Sequence, residues 1–111
     1  MKTKINGIQL AYELQEGSGM PIVLLHGFAM NRSVWHEMAT TYLADKKLIL
    51  PDLRGHGESD ASDGPYPMEL LAADLAGLIN YLEIKSAIIC GHSMGGYAAL
   101  AFAEQYPQML A

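Results

Sequence analysis

Ser93 lies in Gly91-His92-Ser93-Met94-Gly95-Gly96, a Gly-x-Ser-x-Gly pattern set between the apolar run Ala87-Ile88-Ile89-Cys90 and an Ala-rich stretch from about Met94 to Gln105. A strand that reverses into a helix within one residue leaves the serine strained, with no room for side chains two positions to either side, hence the glycines. The helix start aims free N–H groups and the positive end of its dipole at charge developing beside the serine. The chemistry implied is nucleophilic attack by Ser93 on a carbonyl carbon. His26-Gly27-Phe28 follows a second apolar run, Pro21 to Leu25, where a loop N–H can complete an oxyanion hole. The expected donors are the backbone N–H groups of Phe28 and Met94. The Phe28 side chain, with His26, Gly27, Met30 and His92, is expected to line the pocket.

A serine hydroxyl is a weak nucleophile until a base within hydrogen-bond reach takes its proton. Of the four histidines, His92 adjoins Ser93 and is expected to point elsewhere, His26 closes a strand and reads as a brace for its loop, and His36 lies on a surface helix. His56 occupies a loop on the correct side of the sheet, yet nothing in its spacing makes it the base. That loop, Asp52-Leu53-Arg54-Gly55-His56-Gly57-Glu58-Ser59, reads as structural, with Asp52, Arg54 and Ser59 tying it down by charge-assisted and capping hydrogen bonds. His36-Glu37-Met38-Ala39-Thr40 begins like a zinc-protease helix but lacks the second histidine, so no metal site is expected. Gly17-Ser18-Gly19 precedes a strand instead of following one, which argues against a dinucleotide. Cys90, the single cysteine, reads as a small core residue.

Elements must carry these residues to one place. Asn6-Gly7 between Lys2 to Ile5 and Ile8 to Leu14 predicts a hairpin with a type I′ turn. Pro21 to Leu25, Leu48 to Leu50 and Ala87 to Cys90 lack alternation, as parallel strands covered on both faces do. Between them, Val34, Trp35, Met38, Tyr42 and Leu43 recur at helical spacing behind a cap at Asn31 or Ser33. Asn31-Arg32-Ser33 therefore reads as a helix start, not a glycosylation acceptor. Leu71, Leu75, Leu78, Ile79 and Leu82 form a second stripe after Pro67, and the third helix, apolar nearly all round, is expected to be deeply packed. This order predicts an α/β fold: a mostly parallel sheet with an N-terminal antiparallel hairpin and helices on both faces. Such sheets bind ligands beyond the carboxyl ends of their strands.

The composition is compatible. The chain has 111 residues, half of them hydrophobic, and a formal net charge of −5, which argues against a nucleic-acid surface. Charged residues are 17%, below the roughly 25% of average usage, so part of the surface is expected to be covered by something else. No apolar run approaches the ~18 residues of a spanning helix and no signal-peptide core is visible, giving a cytoplasmic expectation with no membrane partner.

His26-Gly27-Phe28, the Asp-x-Arg-Gly-x-Gly-x-Ser of Asp52 to Ser59, and Gly91 to Gly96 occur together in the order and separations of one known superfamily. The chain resembles the N-terminal, nucleophile-bearing half of the α/β-hydrolase fold, and within that superfamily it resembles the small carboxylesterases, enol-lactonases, meta-cleavage-product hydrolases and cofactor-free haloperoxidase or perhydrolase-like proteins. Ser93 departs from the epoxide hydrolases and haloalkane dehalogenases, which use aspartate there. The resemblance implies that residues 1–111 are the N-terminal portion of a single domain, truncated after about five strands and three helices. It implies a cofactor-free serine hydrolase acting on a small ester, lactone or related carbonyl compound through an acyl-enzyme. The family places the catalytic acid and histidine after later strands, outside these residues, so little activity is expected from this chain alone. Acyl transfer to peroxide or another nucleophile, or a lyase step, would fit the same site. A non-catalytic half-fold is a further alternative. The family's fifth strand is internal, so Ala87 to Cys90 is expected to form an apolar edge through which the chain self-associates or pairs with a complementary chain.

Overall fold

The computed structural model describes residues 1–111. Strands β1 (Lys2–Ile5) and β2 (Ile8–Gln15) form the expected hairpin, with φ +48° at Asn6 and +85° at Gly7 as a type I′ turn requires. There follow β3 (Ser18–Leu25), a 3-10 turn (Arg32–Trp35), α1 (His36–Tyr42), β4 (Lys46–Pro51), α2 (Met68–Tyr81), β5 (Ile88–Gly91) and α3 (Met94–Gln105). The sheet order is β1-β2-β4-β3-β5. Strand β3 pairs in parallel with β4 and β5, while β2 runs antiparallel to both β1 and β4. The sheet is thus mixed, with a parallel half that ends beside the serine and an antiparallel half made by the hairpin.

Period-two alternation divides the core. Val23, Leu25 and Ile49 face α2 and α3 in a buried cluster of 18 residues, whereas Leu24, Leu48 and Leu50 face Trp35 and Ala39 in a second cluster of five. Helices therefore cover both faces. Leu71, Leu75, Leu78 and Ile79 of α2 are buried as their spacing predicts.

Four expectations need correction. Val34, Met38 and Tyr42 are exposed, and the first-helix face against the sheet is Trp35, Ala39 and Leu43. The cause is phase: Arg32–Trp35 winds as a 3-10 turn of about three residues per turn, so the stripe does not begin where an α-helix from Asn31 would put it. Asn31 is the cap, its side chain accepting from the Ser33 N–H at 2.9 Å. Helix α3 is not deeply packed: it buries only Gly95, Ala98 and Phe102, and leaves Tyr97 66% and Leu100 68% exposed. Cys90 is exposed rather than core, because β5 is the edge strand and its α1-side face, with Ile88, has no helix over it. Strand β3 begins at Ser18, three residues before Pro21, since the Ser18 N–H bonds to the Asp45 carbonyl at 3.0 Å and pairs that end with Lys46 of β4, across a register shift between Ser18 and Ile22. Beyond β5, only Leu110 bridges to Ala87, in parallel. No helix is long and apolar enough to cross a membrane.

Candidate active site

The turn between β5 and α3 is built by exclusion of side chains. A Cβ on Gly91 would lie 2.2 Å from the Gly95 carbonyl oxygen, and one on Gly95 would lie 2.4 Å from the Leu25 carbonyl oxygen. Only glycine lets helix α3 start this close to both strands. The residue between them takes up the reversal: Ser93 has φ +54° and ψ −116°, in a region that costs of order 1–3 kcal/mol for a residue with a side chain. Ser93 is exposed and immediately precedes α3, whose first residue is Met94. It borders an open hollow of about 430 Å³ shared with Gly96, Tyr97 and Leu100.

The loop after β3 lies against this turn. The His92 N–H donates to the Leu25 carbonyl at 3.0 Å, and a Cβ on Gly27 would lie 3.3 Å from Ser93 Cβ and 3.2 Å from His92 Cδ2. Gly27 is therefore a contact between the two loops and is itself buried. The chain reverses next, through a turn in which the Met30 N–H donates to the Gly27 carbonyl at 3.2 Å and Ala29 takes φ +63°. Neither the Phe28 N–H nor the Met94 N–H makes a hydrogen bond within the chain. The Phe28 side chain is 73% exposed and meets the His56 ring edge-on, with centroids 5.7 Å apart.

Met30 and His92 line a hollow of about 270 Å³ with Val34 and Trp35, separate from the one that Ser93 borders. His26 does not join them. It is fully buried, with Nδ1 2.8 Å from the Gly27 carbonyl oxygen and Nε2 2.9 Å from the Leu53 nitrogen. A carbonyl only accepts and a backbone N–H only donates, so Nδ1 carries the proton and Nε2 accepts. Burial, reinforced by the neighbouring His56, holds its pKa below the usual 6.5 against the opposing effects of the Gly27 bond and Asp52. It braces two loops and offers no surface to a ligand.

No histidine bonds to Ser93. His36 Nε2 is 2.7 Å from Glu13 on the outside of the sheet, and His56 Nδ1 is 3.0 Å from the Arg54 carbonyl oxygen. The Ser93 hydroxyl makes no hydrogen bond within the chain.

The loop after β4 is held by charge, as the sequence suggested, but through partners that it did not reveal. The buried Asp52 carboxylate accepts from the Arg32 N–H at 2.7 Å, the Glu58 N–H at 2.9 Å and the Arg32 guanidinium, which also reaches Glu13 and Glu58. A Cβ on Gly57, which has φ +53°, would overlap that carboxylate. Burial alone would raise the Glu13 pKa, but the bonds from His36 and Arg32 outweigh it and hold the carboxyl below its usual range. Arg54 binds Asp74 of α2 with two nitrogens, at 2.7 and 2.8 Å, and that pair raises the arginine's pKa further. Ser59 donates to the Asp52 carbonyl at 2.6 Å and accepts from the Ala11 N–H at 2.8 Å. Arg32, Glu13 and Asp74 are thus structural partners with no local sequence signal. A buried Asp inside an otherwise apolar helical stripe was the one available hint.

Known proteins share this fold. Over 99% of the chain, the structure superposes on a thermophilic esterase from Thermogutta terrifontis with a TM-score of 0.92 and 41% identity, covering 43% of that chain. An enol-lactonase from Burkholderia xenovorans LB400 matches equally, at TM-score 0.92 and 32% identity, over 99% of this chain and 44% of its own. In sequence, an sn-1-specific diacylglycerol lipase of Xenopus tropicalis is 35% identical over 108 residues, which are 93% of this chain and 33% of the lipase. The chain therefore spans about a third of the length of that curated relative. The family model described as the alpha/beta hydrolase fold matches residues 20–111, and with the serine turn, the loop after β3 and the strand order in place, the chain belongs to the α/β hydrolase fold family.

Proposed function

We propose that Ser93 is the nucleophile of a serine hydrolase that acts on a small ester, lactone or related carbonyl compound through an acyl-enzyme. The observation that carries this reading is the Ser93 backbone itself, held at positive φ on an exposed tip at the start of α3. Strain of this kind persists only where surrounding structure enforces it, and here Gly91 and Gly95 do. In the proposed reaction the Ser93 oxygen attacks the carbonyl carbon, its proton passes to a base, and the developing oxyanion takes hydrogen bonds from the unengaged Phe28 and Met94 N–H groups. Collapse of the tetrahedral intermediate breaks the bond to the substrate's alkoxy group, which takes the proton from the base and leaves the acyl group on Ser93. Water, deprotonated by the same base, then attacks the acyl carbon, releasing the acid as the proton returns to the Ser93 oxygen.

We further propose that residues 1–111 supply the nucleophile-bearing portion of such a domain, a reading supported by the 43% and 44% of the esterase and lactonase chains that they match. None of the four histidines is bonded to Ser93, so the chain by itself is expected to turn over slowly, retaining at most the roughly 10³–10⁴ over water that an oxyanion hole without its base provides. The test supplies the missing base. Hydrolysis of p-nitrophenyl acetate is followed for the chain and for Ser93→Ala, with and without added imidazole. The reading expects imidazole to accelerate the unsubstituted chain well above the Ser93→Ala background. Equal rates for the two proteins would overturn it.

A further inference from the structure

We infer that the hollow walled by Met30, Val34, Trp35 and His92 is a binding site, separate from the Ser93 hollow, for a small neutral molecule made of one aromatic ring and a carbonyl oxygen. Trp35 carries the one buried side-chain nitrogen or oxygen without a hydrogen-bond partner in the chain, its indole Nε1. Leaving a buried donor unpaired is costly, and folded proteins rarely do so. The charged and polar side chains buried elsewhere, His26, Asp52, Arg54 and Asp74, are all bonded. An indole N–H only donates, so the group that satisfies it is an acceptor.

The indole is not free to turn away and find one. It is 9% exposed and packs with Leu24, Ala39, Leu48 and Leu50 on the α1 side of the sheet, while also forming a wall of the hollow. Two other walls are adaptable. Met30 and Val34 are 38% and 48% exposed, and the methionine is unbranched, so they give way to a ligand that reaches Nε1, which is closed to solvent in the empty hollow. A ring suits these walls, because a thioether and an indole face both attract aromatic groups. The volume of about 270 Å³ also exceeds the roughly 150 Å³ in which an engineered protein cavity holds benzene. His92, exposed and with neither ring nitrogen bonded within the chain, supplies a second polar group. No Asp, Glu, Lys or Arg lines the hollow, which selects an uncharged acceptor such as a ketone or ester oxygen. Apolar walls with a few polar groups are the ordinary make-up of a small-molecule pocket.

Trp35 is the only tryptophan, so a single indole N–H resonance reports the site. The nitrogen-15-labelled chain is titrated with acetophenone and with α-methylstyrene, which has the same shape but a methylene in place of the carbonyl oxygen. Acetophenone is expected to move the indole proton downfield and to bind at least about fivefold more tightly, the low end of what satisfying one buried donor yields. In Trp35→Phe the two compounds are expected to bind alike. Val34→Phe, a change at an exposed position, is expected to fill the hollow and weaken acetophenone by about tenfold or more. Ser93→Ala is expected to titrate as the unsubstituted chain does, since that serine borders the other hollow. Equal affinity for the two compounds in the unsubstituted chain, an indole proton that stays in place at saturation, or undiminished binding in Val34→Phe would overturn the inference. So would a loss of binding in Ser93→Ala, which would place the ligand in the serine hollow instead.

Discussion

The loop after β4 and the turn after β5 sit at the same end of the sheet and are held by opposite means. Around β4, placement comes from charge: Asp52 is clamped by Arg32, and Arg54 grips Asp74 across to α2. Around β5, placement comes from missing side chains, with Gly91 and Gly95 letting the helix start pack against bare backbone. The first region is satisfied within the chain, each of its buried charges being paired. The second presents a strained serine whose hydroxyl has no partner, beside an α3 face that leaves Tyr97 and Leu100 in solvent. The roles are divided accordingly: the polar region fixes the platform, and the glycine region exposes the serine hydroxyl that we propose as the nucleophile.

Breaking the platform should have the largest consequence. Asp74→Ala leaves the Arg54 guanidinium buried with only Ser62 and the Asn6 carbonyl, and should cost about 3–5 kcal/mol in urea unfolding. A loss below ~1 kcal/mol would mean that the pair is dispensable. Gly95→Ala should cost about 1–3 kcal/mol, because the new methyl overlaps the Leu25 and His26 carbonyls, and should also abolish labelling of Ser93 by a fluorophosphonate. Retained labelling would show that the serine does not depend on this close approach.

Acid should separate the regions more gently. The buried His26 has a folded pKa below its ordinary 6.5, so above 6.5 it contributes no pH dependence. As pH falls below that value the unfolded chain takes a proton that the folded chain refuses, and stability declines until the lowered folded value is passed. Glu13, held below its ordinary 4.5, adds a second decline further down, as the unfolded carboxylate protonates first. Urea midpoints across this range should fall in two stages, and a flat profile would contradict both assignments. The smallest effect belongs to the bare face. Leu100→Lys should change unfolding free energy by no more than about 0.5 kcal/mol, whereas a larger loss would show that α3 packs there after all.

What could be read from the sequence follows the same division. The hairpin, the serine turn and the stripe of α2 were legible because each is encoded within a few residues: Asn6-Gly7, Gly91 to Gly95, and Leu71 to Ile79. The clamp on Asp52 was half legible. Its loop carries the right residue types, but Arg32 reaches it from 20 positions away and is itself held by Glu13, a further 19 positions back, and no local pattern announces such pairs. Burial is not encoded locally where it depends on a neighbouring layer, as at the exposed Cys90, Tyr97 and Leu100, since an apolar residue states its preference and not its surroundings. His26 reads as a brace from its place at a strand end, but its tautomer and its hold on the Gly27 carbonyl emerge only from the fold.

The central claim is that the chain already presents Ser93 as a strained, preorganised nucleophile lacking only a base. Its most direct test is to treat the chain with a fluorophosphonate, with and without imidazole, and to map the adduct by peptide mass. The account predicts modification at Ser93 and at no other serine, slow alone and accelerated by imidazole. An adduct spread over Ser18, Ser33, Ser59 and Ser62, or none at Ser93 in imidazole, would contradict it.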